Sequence, residues 1–157
     1  MLLQSEFNLD GYTVFCHGLN DIGNRGLLIY VASNIDATLV DLPDRFNECL
    51  FLILKSPGKF NKLLLGNIYL NPHSTLENDY ALFDHIEQNF KIPKLIVGDF
   101  NFSNIVWYSV HGSGASPFCS SLNDNELAFV STLRENLLMQ HVVNPTIDFE
   151  SVIHPIP

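Results

Sequence analysis

The stretch Leu95-Ile96-Val97-Gly98-Asp99-Phe100-Asn101 sets an acid and an amide two residues apart where an apolar run ends. On an extended chain, residues i and i+2 project to the same side, so Asp99 and Asn101 share a face. Asp99 offers a charged oxygen; Asn101 offers a neutral oxygen and an amide donor. That mixture can hold a hard divalent cation through oxygen and hydrogen-bond a phosphate oxygen. An Asp/Asn turn that simply closes a strand uses the same residue types. Spacing alone leaves both readings open.

The elements around this junction follow from the periodicity of the apolar residues. Tyr12–Cys16 and Gly26–Val31 read as two short strands, separated by the Gly/Asn/Asp-rich segment Gly18–Asn24, a hairpin signal. Cys49–Leu54 and Lys62–Tyr69 are near-continuous apolar runs of the kind expected when both faces of a strand are covered. The Ser56-Pro57-Gly58-Lys59 turn between them makes them antiparallel. Ser74-Thr75-Leu76-Glu77 is a capping-box pattern with Ser74 and Glu77 as the reciprocal pair. It opens a helix whose apolar stripe is Leu76, Tyr80, Phe83, Ile86 and Phe90, and Pro93 closes the segment. Lys94–Val97 is then a short buried strand ending at Gly98. From Asn101 to about Ser121, Gly112, Gly114 and Pro117 point to a loop. A second helix starts near Asn123 or Asp124, with Leu127, Val130, Leu133 and Leu137 on one face and His141 extending the row. The proline-bearing tail from Asn144 carries no regular element.

Charge limits the partners. Eight basic residues stand against 17 acidic ones, a net charge of −9, whereas a surface that binds nucleic acid unaided is normally basic. Carboxylates that bind a cation read as negative until the ion arrives, so a metal-dependent phosphodiesterase is compatible with this balance, and an inert fold equally so. No apolar run reaches the roughly 18–20 residues that a membrane span needs. The start of the chain has no basic, then apolar, leader. Cys16, Cys49 and Cys119 lack paired spacing and read as thiols in a reducing, intracellular compartment, filling space as small apolar residues.

Gly98-Asp99-Phe100-Asn101 resembles the GDFN motif of the endonuclease/exonuclease/phosphatase superfamily. The wider pattern is similar to the endonuclease domain of non-LTR (LINE-type) retrotransposon polyproteins, which also carry a reverse transcriptase. Gly11-Tyr12-Thr13-Val14-Phe15 with Asn24-Arg25-Gly26-Leu27-Leu28-Ile29-Tyr30-Val31 looks like the family's hairpin. Gly66-Asn67-Ile68-Tyr69-Leu70-Asn71-Pro72 is similar to its "G-x-x-Y-R-P-P" strand end. Asn101–Trp107 follows "N-x-x-x-I-x-W", and Leu138–Thr146 follows "L-x-Q-x-V-x-x-P-T". The matches run in family order over about residues 10 to 147.

The resemblance implies an α/β (α+β) sandwich, mostly antiparallel sheets packed face to face with helices outside. It also implies a single, incomplete domain over residues 1–157, truncated at both ends. It places Asp99, Asn101 and Tyr69 in the catalytic site. Asp99 would orient or deprotonate the attacking water, Asn101 would steady the charge developing on phosphorus, and the Tyr69 hydroxyl would lie near the scissile phosphate. A strand-end tyrosine packed in the core is the other reading of Tyr69. Asp99 and Asn101 would hold Mg²⁺ or Mn²⁺, the partner would be the DNA phosphodiester backbone, and the location nuclear. Trp107 would pack under the active-site loop, and Gln140 and Thr146 would be framework positions.

Departures from the pattern are as specific as the matches. The family's metal-ligating Glu precedes its hairpin, and the surroundings of Glu6 do not resemble that segment. The family's later Asp–His pair is not matched by Asp148 and His154, whose spacing differs. Leu70 and Ile147 stand where the family has Arg. The expectation is therefore an endonuclease-like domain with impaired catalysis. The alternatives are a non-catalytic remnant serving at most as a binding module, or a phosphatase branch of the same superfamily.

Overall fold

The computed structural model describes residues 7–18, 26–41, 48–55, 61–88, 92–110, 114–118 and 121–142. The chain forms two compact units, Met1–Phe102 and Ser103–Pro157.

In the first unit, β1 (Tyr12–His17) and β2 (Leu27–Ala32) pair as the expected antiparallel hairpin, with Val14 opposite Tyr30. A four-stranded sheet holds β3 (Asp36–Leu39), β4 (Cys49–Lys55), β5 (Lys62–Tyr69) and β6 (Lys94–Asp99), in that order. The β3–β4 and β4–β5 pairs are antiparallel, as the Pro-Gly segment implied for the second of them. Helix α1 (Leu76–Gln88) separates β5 from β6, and those two strands run parallel.

Directly opposed residues of a ladder share a face. Cys49, Phe51 and Ile53 thus lie on one face with Ile68, Gly66 and Leu64, and Leu50, Leu52 and Leu54 lie on the other with Asn67, Leu65 and Leu63. The first face meets α1, where the His85 ring sits 5.8 Å from that of Phe51. The second meets the hairpin: β2 packs on β4 and β5, and the Asn67 amide donates to the Leu28 carbonyl across the layers at 3.4 Å. The core is Leu50, Phe51, Leu52, Leu64, Ile68, Leu82, Phe83 and Ile86. Among the described residues, no helix is long and apolar enough to cross a membrane. Cys49 is buried, which pushes its thiol up to about 12 and removes it from thiolate chemistry; Cys16 is half-buried, and Cys119 lies outside the described residues.

Three expectations for this unit change. Strand β6 is not buried: Leu95 is 47% and Val97 46% exposed. It is the sheet's edge strand, and the hairpin packs on β4 and β5 instead. Helix α1 is capped one residue later than expected, by Thr75, whose hydroxyl accepts from the Asn78 amide at 3.3 Å. Its buried row is Asp79, Leu82, Phe83 and Ile86, while Tyr80 faces solvent and Phe90 lies outside the described residues. Phe83 and Ile86 belong to both rows, but the buried face is turned so that Asp79 and Leu82 are inside in place of Tyr80. Strand β3 had no counterpart in the sequence reading. Its alternation is short, and the opposed pair Asp36 and Lys55, bridged at 2.9 Å, is solvent-exposed and worth little.

The second unit replaces an expected loop with a hairpin. Strands β7 (Val106–Val110) and β8 (Gly114–Phe118) are antiparallel, with Trp107, half-buried, opposite Pro117. The proline fits because the Ala115 amide points away from β7, donating to the Gln140 carbonyl, at 2.6 Å. Residue 117, two further on, presents its nitrogen to that same outer side, so β7 loses no bond. Gln140 takes part in this unit through its backbone bridge to Ala115; Thr146 lies outside the described residues.

Helix α2 (Asp124–Glu135) starts at Asn123 with a complete capping box: Glu126 N–H donates to Asn123 Oδ1, and Asn123 N–H to Glu126 Oε2, each at 2.9 Å. Val130 of the expected stripe is buried and Leu133 half-buried, but Leu127 and Leu137 are exposed; Phe129 and Thr132 take their places. The helix stops because Leu137 turns left-handed, with φ of 53°. Its N–H donates to Arg134 O at 3.1 Å and that of Leu138 to Leu133 O at 2.8 Å, the paired bonds of a Schellman ending.

Glycine normally occupies this left-handed position, and the Leu137 side chain is 89% exposed, so it returns little by packing. Leu137→Gly is therefore expected to stabilise the fold by about 1 kcal/mol, read as a shift in the denaturant midpoint. A loss of stability would show that the side chain packs in solution.

His85 generates a second prediction. Its Nε2 is buried with no hydrogen-bond partner among the described residues, and burial lowers its pKa. A depressed folded-state pKa favours the neutral ring, so its contribution is complete above the unfolded value of about 6.5 and is lost as pH falls below it. Unfolding free energy should decline from about pH 7 to pH 5, and His85→Phe should flatten that slope. An unchanged slope would rule out His85 as its source.

Candidate active site

The ends of β5 and β6 bring two of the sequence-predicted residues side by side. Asp99 is the register partner of Tyr69, at the carboxyl end of the parallel pair. By the parity of the strands, both lie on the hairpin side of the sheet, in line with Asn67, Val97, Leu65 and Leu95. Ligands of parallel sheets collect at such carboxyl ends, where the backbone leaves the ladder and polar side chains gather. Tyr69 is half-buried; Asp99 and Asn101 are exposed.

The reason for Gly98 is a contact. Its φ is +147°, and a β-carbon there would sit 1.8 Å from the Ile68 carbonyl oxygen. No L side chain fits while β5 and β6 stay paired. Gly66 answers a similar demand on the helix face, where the Phe51 ring lies over it and a β-carbon would come within 2.5 Å of that ring. These two glycines let β5 be approached closely from both neighbouring strands.

Beyond Gly98 the chain leaves the sheet in a defined way. Leu70 N–H donates to the Asp99 carbonyl at 2.8 Å, the last regular rung. Asn101 then adopts φ of 53°, its backbone N–H donates to Asp99 Oδ1 at 3.2 Å, and its side-chain Nδ2 donates to the Leu70 carbonyl at 2.8 Å. The exit of β5 mirrors this. Asn71 Oδ1 accepts from His73 N–H, and its carbonyl from Ser74 N–H, each at 2.9 Å. Two Asx turns thus close the two strand ends, a use of Asn and Asp that competes with continued ladder pairing.

Chemically, one Asp99 oxygen is engaged and the other has no hydrogen-bond partner among the described residues. Asn101 commits one amide N–H to the Leu70 carbonyl and keeps its side-chain oxygen. An oxygen-only set of this kind suits a hard cation. Among the described residues, no three His, Cys, Asp or Glu side chains gather around one point. Glu6, Asp148 and His154 lie outside the described residues.

Sequence reasoning missed two contributors. Leu70 was read for the arginine it is not, yet its backbone carries both a donor and an acceptor of the cluster. Asn71 was passed over, although Asn71-Pro72 is a turn signal.

Gly98→Ala should cost about 2 kcal/mol or more in chemical denaturation, because the β5–β6 rungs must part to admit the methyl group. A cost near zero would mean that β6 does not hold this register. The chain matches no protein-family model, and no curated protein matches it.

Proposed function

We propose that the chain is a retrotransposon-derived, endonuclease-like domain of the endonuclease/exonuclease/phosphatase type. Its ancestral chemistry is metal-dependent hydrolysis of DNA phosphodiester bonds, and its own catalysis is impaired. The observation that carries the reading is the pairing of Tyr69 with Asp99 at the ends of two parallel strands, with Asn101 turned back onto the same strand end.

In this reading, Asp99 and the Asn101 side-chain oxygen hold a divalent cation, Mg²⁺ or Mn²⁺. Such an ion, when bound, neutralises a phosphate oxygen and lowers the pKa of water. Asp99 orients the attacking water, and the Tyr69 hydroxyl donates to the scissile phosphate as negative charge grows there. The DNA backbone is the substrate.

Two observations support impairment. Among the described residues no three His, Cys, Asp or Glu side chains gather around one point, and a solvent-exposed carboxylate such as Asp99 competes poorly with water for a cation. The net charge of −9 opposes approach of a polyanion. Each missing acid–base or charge-stabilising group typically costs about 10²–10⁴-fold in rate.

The test pairs binding with turnover. In an NMR titration with Mg²⁺, the Asp99 and Tyr69 resonances should shift at millimolar ion, and Asp99→Ala should abolish the response. Supercoiled plasmid with the same protein and ion should be nicked barely above the metal-free rate. Rapid nicking dependent on Asp99 would overturn the impairment; a titration that leaves Asp99 and Tyr69 unmoved would overturn the metal site.

A further inference from the structure

We propose that Asn101 is a positioning residue, whose side-chain amide replaces the strand bond that its own backbone gives up and thereby fixes the Asp99 carboxylate. The inference goes beyond the proposed hydrolysis, because it concerns how Asp99 is held rather than what it does.

The geometry is that of an interrupted ladder. In a regular parallel pair, a residue donates its N–H to one partner residue and accepts from the N–H two positions further along. Leu70 makes the first of these bonds, to the Asp99 carbonyl at 2.8 Å. The second would come from the backbone N–H of residue 101. That N–H is directed instead to Asp99 Oδ1 at 3.2 Å, and Nδ2 of Asn101 reaches the waiting Leu70 carbonyl at 2.8 Å. The rung survives with a side chain in place of the main chain.

The exchange has a consequence for Asp99. Released from the ladder, the residue-101 N–H pins one carboxylate oxygen and leaves the other available. Leu70 is only 7% exposed, so a carbonyl stripped of its donor there would be poorly solvated.

Three demands meet at position 101: a left-handed φ of 53°, an amide donor, and a reach short enough for the neighbouring strand. Aspartate and glycine tolerate the backbone but have no side-chain donor. Glutamine has the donor on a longer stem and no preference for the left-handed region. Asparagine alone meets all three.

The test uses NMR on the full chain. In the wild-type protein, a scalar coupling should cross the hydrogen bond from the Asn101 side-chain nitrogen to the Leu70 carbonyl, and Asp99 should populate one χ1 rotamer. In Asn101→Gly, which keeps the backbone conformation accessible, exchange of the residue-101 amide should rise roughly tenfold. Asp99 should then average over rotamers, while amide exchange in β4 stays as it was. A purely structural loss would raise exchange in β4 as well and leave Asp99 in one rotamer.

Absence of the coupling in the wild-type chain, or unchanged Asp99 rotamers in the glycine variant, would overturn the inference. Should the variant fail to fold, the wild-type coupling alone decides. A Mg²⁺ titration that leaves Asp99 unmoved while these signatures hold would sink the metal-site reading and leave the latch standing. Shifts at Asp99 with a freely exchanging Asn101 side-chain amide would do the reverse.

Discussion

The Ile68 carbonyl occupies the place where a β-carbon of residue 98 would be, and the candidate site depends on that contact. A parallel pair is joined through evenly spaced, slanted bonds, and its strand separation cannot relax at one rung without loosening the next. Glycine at 98 lets the backbone rotate to φ of +147° without parting the strands. The rotation falls one residue before Asp99 and lets the chain keep its rung with Leu70 while beginning to leave the sheet. Were the turn later, the residue-101 N–H would meet the Leu70 carbonyl in the ladder rather than Asp99 Oδ1. Were it earlier, Asp99 would lose its register with Tyr69.

The same edge position that frees the strand end also wets it. Leu95 and Val97 lie on the face they share with Asp99, and both are about half exposed, so the carboxylate is not set in an apolar wall. The contrast with the buried acids is informative. Glu126 is buried, and its carboxylate accepts the Asn123 N–H of the capping box, which offsets part of its desolvation. Asp79 lies on the inner face of α1. Asp99 has a single backbone donor and water, which leaves its charge screened and its second oxygen open to exchange of partners.

Much of this arrangement was legible in the sequence where local rules act alone. The hairpin of β1 and β2, the antiparallel β4 and β5, and the start of α2 at Asn123 all follow from alternation, turn residues and a capping pattern. The strand-end position of Asp99 was legible for the same reason: an apolar run, then glycine, then an acid. What failed did so where tertiary context decides. An apolar run such as Lys94–Val97 reads the same at a sheet's centre as at its edge, and only strand order separates the two. In α1, Tyr80 and Asp79 differ by one helical step, and the sequence favoured the aromatic over the acid that is in fact inside. Pro117, with Gly112 and Gly114, reads from the sequence as a loop residue, whereas its missing N–H falls on the outer side of β8, away from the β7 ladder.

Leu70 shows why side-chain comparison alone undersells this site. Judged by residue type, Leu70 is an apolar side chain with no polar chemistry to offer. Judged by its backbone, Leu70 is the hinge of the cluster, donating to the Asp99 carbonyl and accepting from Asn101. Its buried side chain holds that peptide unit in place, which a long charged residue seeking water would do less well. Two bonds on one peptide unit thus tie the end of β5 to both Asp99 and Asn101.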